Sequence, residues 1–304
     1  MVRRKKSNKI LAKLLVAIIF IILGVVGVEQ FQTVNPVANV EAEIVNKIEI
    51  DEQKLEVFFW DVGQADSVLV LNNGKSMLID AGNDENGEEI VKNIKALGIT
   101  KLDYVVVTHM HADHMGGMDK VMNAFTIENI YMPQTSQTTK QVQEMLEVML
   151  NKGLTYQSPE IGDIFTLGSI NGRVVYVENN EPENLNNSSI VIELSFGTQK
   201  FLFMGDVEKE VEETLQLEKV NVLKVGHHGS STSSSEKLIQ QIKPDIAVIS
   251  VGKDNSYRHP NSSVIERLKK YGATVYRTDQ EGTIWISCDG NENIVKKIKN
   301  GEEV

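Results

Sequence analysis

His109, His111, Asp113 and His114 fall within six residues of the run Thr108-His109-Met110-His111-Ala112-Asp113-His114-Met115-Gly116-Gly117. Imidazole nitrogens and carboxylate oxygens at this density are the donor set of a divalent metal site. A lone histidine is usually a hydrogen-bonded or surface residue, but structural histidines have no reason to alternate beside an aspartate. The chain has six histidines, and the other three, His227, His228 and His259, also sit in short loops after apolar stretches. If the run binds metal, one ion can take His109 and His111 and a second Asp113 and His114, which calls for a bridging carboxylate. The segment Phe201-Leu202-Phe203-Met204-Gly205-Asp206 supplies one: an apolar strand ending in Gly-Asp, the glycine leaving room for close approach. The competing role for Asp206 is to cap the helix that follows. Val222-Leu223-Lys224-Val225-Gly226-His227-His228-Gly229 repeats the arrangement, and adjacent histidines point different ways. One of them is expected to ligate and the other to face substrate.

The elements that must carry these residues follow from the periodicity. Leu102 to Val107 reads as the strand that delivers the first run, and Leu55 to Trp60 as an earlier strand. Ser67–Leu71 and Ser76–Asp80 flank Asn72-Asn73-Gly74, a hairpin with Asn-Gly turn chemistry. A helix bearing Ile90, Val91, Ile94 and Leu97 should end at Gly98, which suits a left-handed C-terminal position. Further helices are expected over 118–125, 136–151, 207–217, 233–242 and 261–271, with the Ser230–Ser235 run as loop and helix cap. Strands are expected over 129–132, 164–167, 173–177, 189–196, 200–204, 220–225, 246–250, 274–277 and 283–287. Two halves of this kind fit two sheets packed face to face with helices outside, an α/β fold.

The chain of 304 residues is 41% hydrophobic and 24% charged, an ordinary globular balance with enough length for a large core. Its single cysteine, Cys288, excludes an intramolecular disulfide and a cysteine-built zinc site, and reads as a small buried hydrophobe. Residues 1–30 read as a signal or transmembrane segment: Arg3, Arg4, Lys5, Lys6 and Lys9 precede an uncharged apolar run from Leu14 to Val28. Val40-Glu41-Ala42 would serve as a cleavage signal but lies far from that run, so an uncleaved membrane anchor with an exported body is preferred. Residues 31–52 read as a polar linker and 53–304 as the body. Six of the 31 basic residues and one of the 42 acidic ones lie in residues 1–30, which leaves the rest near −16. That balance argues against a duplex-DNA clamp, which neutralises phosphates with Lys and Arg.

Together the H-x-H-x-D-H run, the Gly-Asp after a strand and the later strand-end histidine resemble the metallo-β-lactamase superfamily. Narrower stretches resemble the metallo-β-lactamase-like domain of ComEC-type competence proteins and its stand-alone relatives: Trp60–Ser67, Ile79–Gly82, Lys224–Ser230 and Ser256–Pro260, over about residues 53 to 290. The resemblance implies a four-layer αββα sandwich with the site at one edge of the two sheets. It implies His109, His111, Asp113, His114, Asp206 and His228 as metal ligands, Asp80 as a brace, and His227 and His259 as contacts to the scissile group. Many superfamily members carry a further histidine between the first run and the Gly-Asp, whereas none stands here between His114 and His227. Asn186-Asn187-Ser188-Ser189 takes its place, so the first ion site is expected to be weaker, completed by water, or filled by a harder ion.

Two cations bridged by Asp206, Zn²⁺ in the first instance or Mn²⁺ as the harder alternative, would acidify a shared water, with Asp113 beside it, and clamp the developing oxyanion. The expected enzyme is therefore a metal-dependent hydrolase of phosphodiesters, in nucleic acid or an envelope polymer. An envelope hydrolase of teichoic-acid or phosphocholine esters is one alternative, and a metal-binding protein without turnover another. Nothing in the sequence points to a protein partner.

Overall fold

Near-continuous apolar runs form the strands because both of their faces are covered. Alternate residues of β1 (Leu55–Phe59) serve different cores: Leu55, Val57 and Phe59 face one cluster, and Phe58, with Trp60 beyond the strand, another. The computed structural model describes residues 48–299 and 302–303, except 135 and 181. The expected membrane segment over residues 1–30, and most of the stretch read as a linker, lie outside the described residues. Ile48 and Ile50, at the end of that stretch, pack against the first core. Among the described residues no helix is long and apolar enough to cross a membrane.

Among the described residues, one sheet has eight strands. Besides β1 it contains β2 (Val68–Asn72), β3 (Lys75–Ile79), β4 (Lys101–Val106), β5 (Thr126–Tyr131), β13 (Thr283–Cys288), β14 (Asn293–Lys299) and β15 (Glu302–Glu303), in the order β15-β14-β13-β1-β2-β3-β4-β5. The other has seven: β6 (Ile164–Leu167), β7 (Ile170–Tyr176), β8 (Val191–Phe196), β9 (Gln199–Phe203), β10 (Val222–Lys224), β11 (Ile246–Ile249) and β12 (Thr274–Arg277), in the order β12-β11-β10-β9-β8-β7-β6. Both sheets are mixed, with β3-β4-β5 and β9-β10-β11-β12 their parallel parts. Phe59, Val70, Phe201 and Phe203 pack in the core between the sheets. On the outer face of the first sheet lie α1 (Gly87–Ala96), α2 (Ala112–Met115), α3 (Met118–Ala124) and α4 (Lys140–Lys152). On the second lie α5 (Lys209–Glu212), α6 (Glu236–Ile242) and α7 (Ser262–Lys270), while α8 (Thr278–Glu281) links β12 to β13. The result is the expected layering, helix on sheet on sheet on helix.

Local signals held where turn chemistry was strong. Asn73 and Gly74 both take positive φ, 51° and 70°, as a two-residue hairpin turn requires, and Gly98 is left-handed at φ 79°. Ser235 caps α6 by accepting the Leu238 N–H, and Cys288 is buried at the end of β13. The helix expected over 207–217 is instead the single turn α5. The Val211 carbonyl is taken by the Thr214 N–H and hydroxyl, at 2.9 and 2.8 Å, which closes the turn early. Glu212 is drawn inward, where its carboxylate accepts the N–H groups of Ser234 and Ser235, both at 2.6 Å. The helix expected from 136 starts at Lys140, after the Thr139 cap. Strand β14 was missing from the reading because its lysines blur the alternation at the sheet edge.

Glu56 on β1 is a buried carboxylate that accepts from Trp285 Nε1 at 2.6 Å and Ser287 Oγ at 3.0 Å. Burial raises its pKa, and the two hydrogen bonds offset that only in part. A raised folded-state pKa means its stabilising contribution is full below the ordinary carboxylate range and is lost as pH rises through the raised value. Glu56→Gln should therefore be more stable than the parent at pH 8, with the advantage fading towards pH 4 in urea unfolding. Glu56→Ala should lose about 1–3 kcal/mol, because the Trp285 N–H is left unpaired.

Candidate metal centre

The site lies beyond the C-terminal ends of β3, β4, β9, β10 and β11, where parallel strands of both sheets release their loops. Asp80 leaves β3 with φ 59° and accepts three hydrogen bonds: Thr108 N–H at 2.8 Å, Thr108 Oγ1 at 2.7 Å and His114 Nδ1 at 2.7 Å. It thus braces the site as expected, fixing the His114 ring with Nε2 turned inward. The first run divides after β4. His109 lies in the loop after β4 and His111, in extended conformation, at the N-terminus of α2, so that the turn of α2 carries Asp113 and His114 back towards His109. His109 is fully buried, its Nε2 2.9 Å from His111 Nδ1 and its Nδ1 near Thr108 Oγ1 and Ser189 Oγ, at 3.2 and 3.3 Å.

The second sheet supplies the rest. Asp206 places Oδ2 3.2 Å from His114 Nε2, 3.8 Å from His228 Nε2 and 3.9 Å from His227 Nε2. It does not cap a helix, since α5 begins three residues later with Glu208 as its cap. Gly205 is required before it: φ is +53°, and a Cβ there would lie 2.7 Å from that of Ser189. His227 and His228 are both left-handed, φ 49° and 50°, and this pair of unusual backbone states turns their rings apart. His228 is buried, donates Nδ1–H to the Ser250 carbonyl at 3.0 Å and sets Nε2 3.3 Å from Asp113 Oδ2. His227 is held through Nδ1 by Glu208 Oε1 at 3.3 Å and Thr232 Oγ1 at 3.2 Å. Asn255 clamps the backbone of His259, whose ring meets those of His227 and Tyr257, both at 5.7 Å. A cavity of about 230 Å³ opens here, lined by Gln64, Asp113, Asn186, Asp206, His227, Tyr257 and His259 among others.

The residues expected at the site gather at one place, with His111 set against His109 and outside both donor groups. Ligand atoms of His109, His114 and Asp206 lie within 4.8 Å of one another, as do those of Asp113, His114 and His228. The stretch Asn186–Ser189 differs from the simple replacement of a ligand. Ser189 accepts the Asp206 N–H at 3.0 Å and faces the outer nitrogen of His109, so it supports two donors rather than adding one. Sequence reasoning assigned no role to Asp66, Lys224, Glu208 or Ser250. Asp66 and Lys224 stood inside quoted motifs, but nothing in their spacing showed that they would meet.

Residues 60–253 match the metallo-beta-lactamase superfamily. The chain belongs to that superfamily, which is one of metal-dependent hydrolases. It is 32% identical to ComE operon protein 3 of Bacillus subtilis (strain 168) over 251 residues, 75% of this chain and 32% of that protein. It is 31% identical to Recombination protein 2 of Haemophilus influenzae over 235 residues, 75% of this chain and 28% of that protein. The chain thus spans about a third of the length of these relatives. Among solved structures, the metallo-beta-lactamase fold protein YhfI from Bacillus subtilis superposes with a TM-score of 0.53 at 10% identity, covering 77% of this chain and 99% of that one. This likeness is one of fold.

The donor atoms of this metallo-beta-lactamase centre fit a divalent cation on their own chemistry. Asp206 Oδ1 is buried without a hydrogen-bond partner, which costs about 1–3 kcal/mol unless a cation satisfies it, and His114 Nε2 meets only the carboxylate of the same Asp206, 3.2 Å away. Burial opposes charge on His114 and His228, but Asp206 with Asp80, and Asp206 with Asp66, outweigh it. His114 is raised well above the imidazole range and His228 is pushed up to about 10. Burial opposes ionisation of Asp206 too, yet the neighbouring imidazoles hold it well below the carboxylate range. In the same way, His228 and His114 outweigh burial and bring Asp113 down to about 2. Burial, with His114 beside it, keeps His109 neutral. Protons on His114 and His228 must leave when a cation takes their place. Calorimetric titration with Zn²⁺ at pH 7, in buffers of different ionisation enthalpy, should show release of about two protons and an affinity that rises with pH. Gly205→Ala should weaken metal uptake at least roughly tenfold, because its Cβ would displace Ser189 and with it Asp206.

Proposed function

We propose that the chain is a metal-dependent phosphodiesterase acting on nucleic acid outside the cytoplasm. The observation that carries this reading is the lining of the cavity. Asp113 and Asp206 share it with the imidazoles of His111, His227, His228 and His259 and the amide of Asn186, so candidate cation ligands and groups able to meet a substrate oxygen face one space. His109, His111, Asp113, His114, Asp206 and His228 would hold the cations. Zn²⁺ or Mn²⁺ bound there would supply Lewis acidity and an acidified water.

The chain's own residues then account for substrate handling. Glu208 and Thr232 fix the His227 ring through Nδ1, so Nε2 is the nitrogen turned towards Asp206 and left to meet substrate. Burial, with the charges of His227 and His228, brings His259 down to about 4, so at neutral pH it is a neutral N–H donor. Tyr257 stands 68% exposed at the rim, its ring stacked on His259, and offers a platform for a base. The names of the relatives, a ComE operon protein and a recombination protein, favour nucleic acid. The acidic balance of the body favours a single strand or short ester over a duplex. The same balance favours a second reading, hydrolysis of envelope phosphodiesters, which needs no basic groove. The basic cluster and apolar run of residues 1–30 support an anchored or secreted body.

The test is cleavage of bis-p-nitrophenyl phosphate, single-stranded DNA, RNA and choline-phosphate esters by the metal-loaded protein. Asp206→Asn and His114→Ala should lose metal-dependent turnover, and unchanged rates in either would sink the proposal. His227→Ala and His259→Ala should lower kcat by roughly 10²–10⁴ while metal content is retained. Cleavage of choline-phosphate esters alone would select the second reading.

A further inference from the structure

Lys224, the last residue of β10, is only 2% exposed, yet it ends in a charge. Its Nζ lies 2.7 Å from Asp66 Oδ2 and 2.9 Å from the Val225 carbonyl. Asp66 is equally buried and comes from the loop between β1 and β2, so the ion pair joins the two sheets beneath the metal centre. Its other oxygen, Oδ1, has no conventional hydrogen bond and lies 3.3 Å from His228 Nδ1. Its backbone is tied to both neighbouring loops, with the N–H donating to the Asp113 carbonyl at 3.0 Å and the carbonyl accepting the Gly82 N–H at 2.9 Å. Asp66 also falls within 4.8 Å of Asp80 and His114, close enough to compete for a cation if its carboxylate were loose.

A buried ion pair used only as a staple between sheets is a poor device, because an apolar pair of similar volume is often as stable or more so. The position of this pair suggests a different use. We propose that Lys224 and Asp66 act as a positioning pair for the metal centre. Lys224 holds Oδ2 of Asp66, which keeps that carboxylate from entering the cation site and sets Oδ1 behind His228 Nδ1, 3.3 Å away. The Ser250 carbonyl accepts Nδ1–H and the Asp66 charge reinforces it, so Nε2 is the nitrogen turned towards Asp113 and Asp206. A carboxylate behind an imidazole also makes that imidazole the stronger ligand. The inference rests on the reading above that His228 is a ligand.

The experiment measures Zn²⁺ and Mn²⁺ affinity of the full chain by competition with a chromophoric chelator, with the thermal midpoint of the metal-stripped protein followed in parallel. Asp66→Asn should bind roughly 10–100-fold more weakly and unfold earlier when stripped, since Lys224 is left buried and unpaired. The double variant Asp66→Asn with Lys224→Met removes both charges. It should recover the stripped midpoint and keep the weak binding, a separation that a purely structural pair would not produce. Binding by the double variant within about twofold of the parent would overturn the proposal. Should the double variant not fold, Asp66→Glu keeps both charges and only lengthens the arm. Weaker binding there supports the proposal, and unchanged binding overturns it. A parent chain that binds neither ion would instead overturn the reading of the site itself.

Discussion

The contact between Asp206 and His114 is the constraint on which the rest depends. One residue comes from each sheet, their polar atoms are 3.2 Å apart, and both side chains are buried. No local sequence preference places them there. It requires the two sheets to pack at one register, and the apolar core between them, Phe59 and Val70 against Phe201 and Phe203, sets that register. Around this contact the protein gathers the buried Asp66, Asp80 and Asp206 with the partly exposed Asp113, a concentration of negative charge that burial alone would reject. Lys224 balances one of them, and the imidazoles of His114 and His228 lie against the others. Divalent cations would do the same work at higher charge density, and would satisfy Asp206 Oδ1, which no hydrogen bond reaches.

Much of this was legible in the sequence, for reasons that can be assigned. The H-x-H-x-D-H run is local, so its chemistry could be read before any fold was known. The strands were legible because sheets covered on both faces need unbroken apolar runs. The boundaries that failed were set by tertiary contacts. Helix α5 stops after one turn because Glu212 is claimed by the backbone of Ser234 and Ser235, 22 and 23 residues away. Strand β14 looked polar because it lies near the sheet edge, where lysines are an ordinary protection against pairing with other chains. Asp66 could not have been assigned a role, and Ser189, read as part of the stretch standing where a ligand would, could not be seen to support His109 and Asp206 instead, since what matters is the atom each faces and not its spacing.

The relatives constrain function less than they constrain fold. The chain spans about a third of ComE operon protein 3 and of Recombination protein 2, so whatever the remaining two thirds of those proteins do has no counterpart in the matched region. What the matched region shares is the hydrolase domain, and the argument for substrate must come from the cavity. There Asp113 and Asp206 share the lining with His227, His259 and Asn186, so a group that enters meets carboxylates, imidazoles and an amide together.

Backbone strain supports the view that this cavity is formed before substrate arrives. Asp80, His227 and His228 are non-glycine residues in the left-handed region, with φ of 59°, 49° and 50°. Each such residue costs about 1–3 kcal/mol and persists only where its surroundings over-determine it. Asp80 is held by Thr108 and His114, His228 by Ser250 and Asp66, and His227 by Glu208 and Thr232. Every strained residue at the centre therefore has its side chain tied at two points to other elements of the fold. The strain is carried by the packed sandwich, and the donor atoms meet a cation in positions already set.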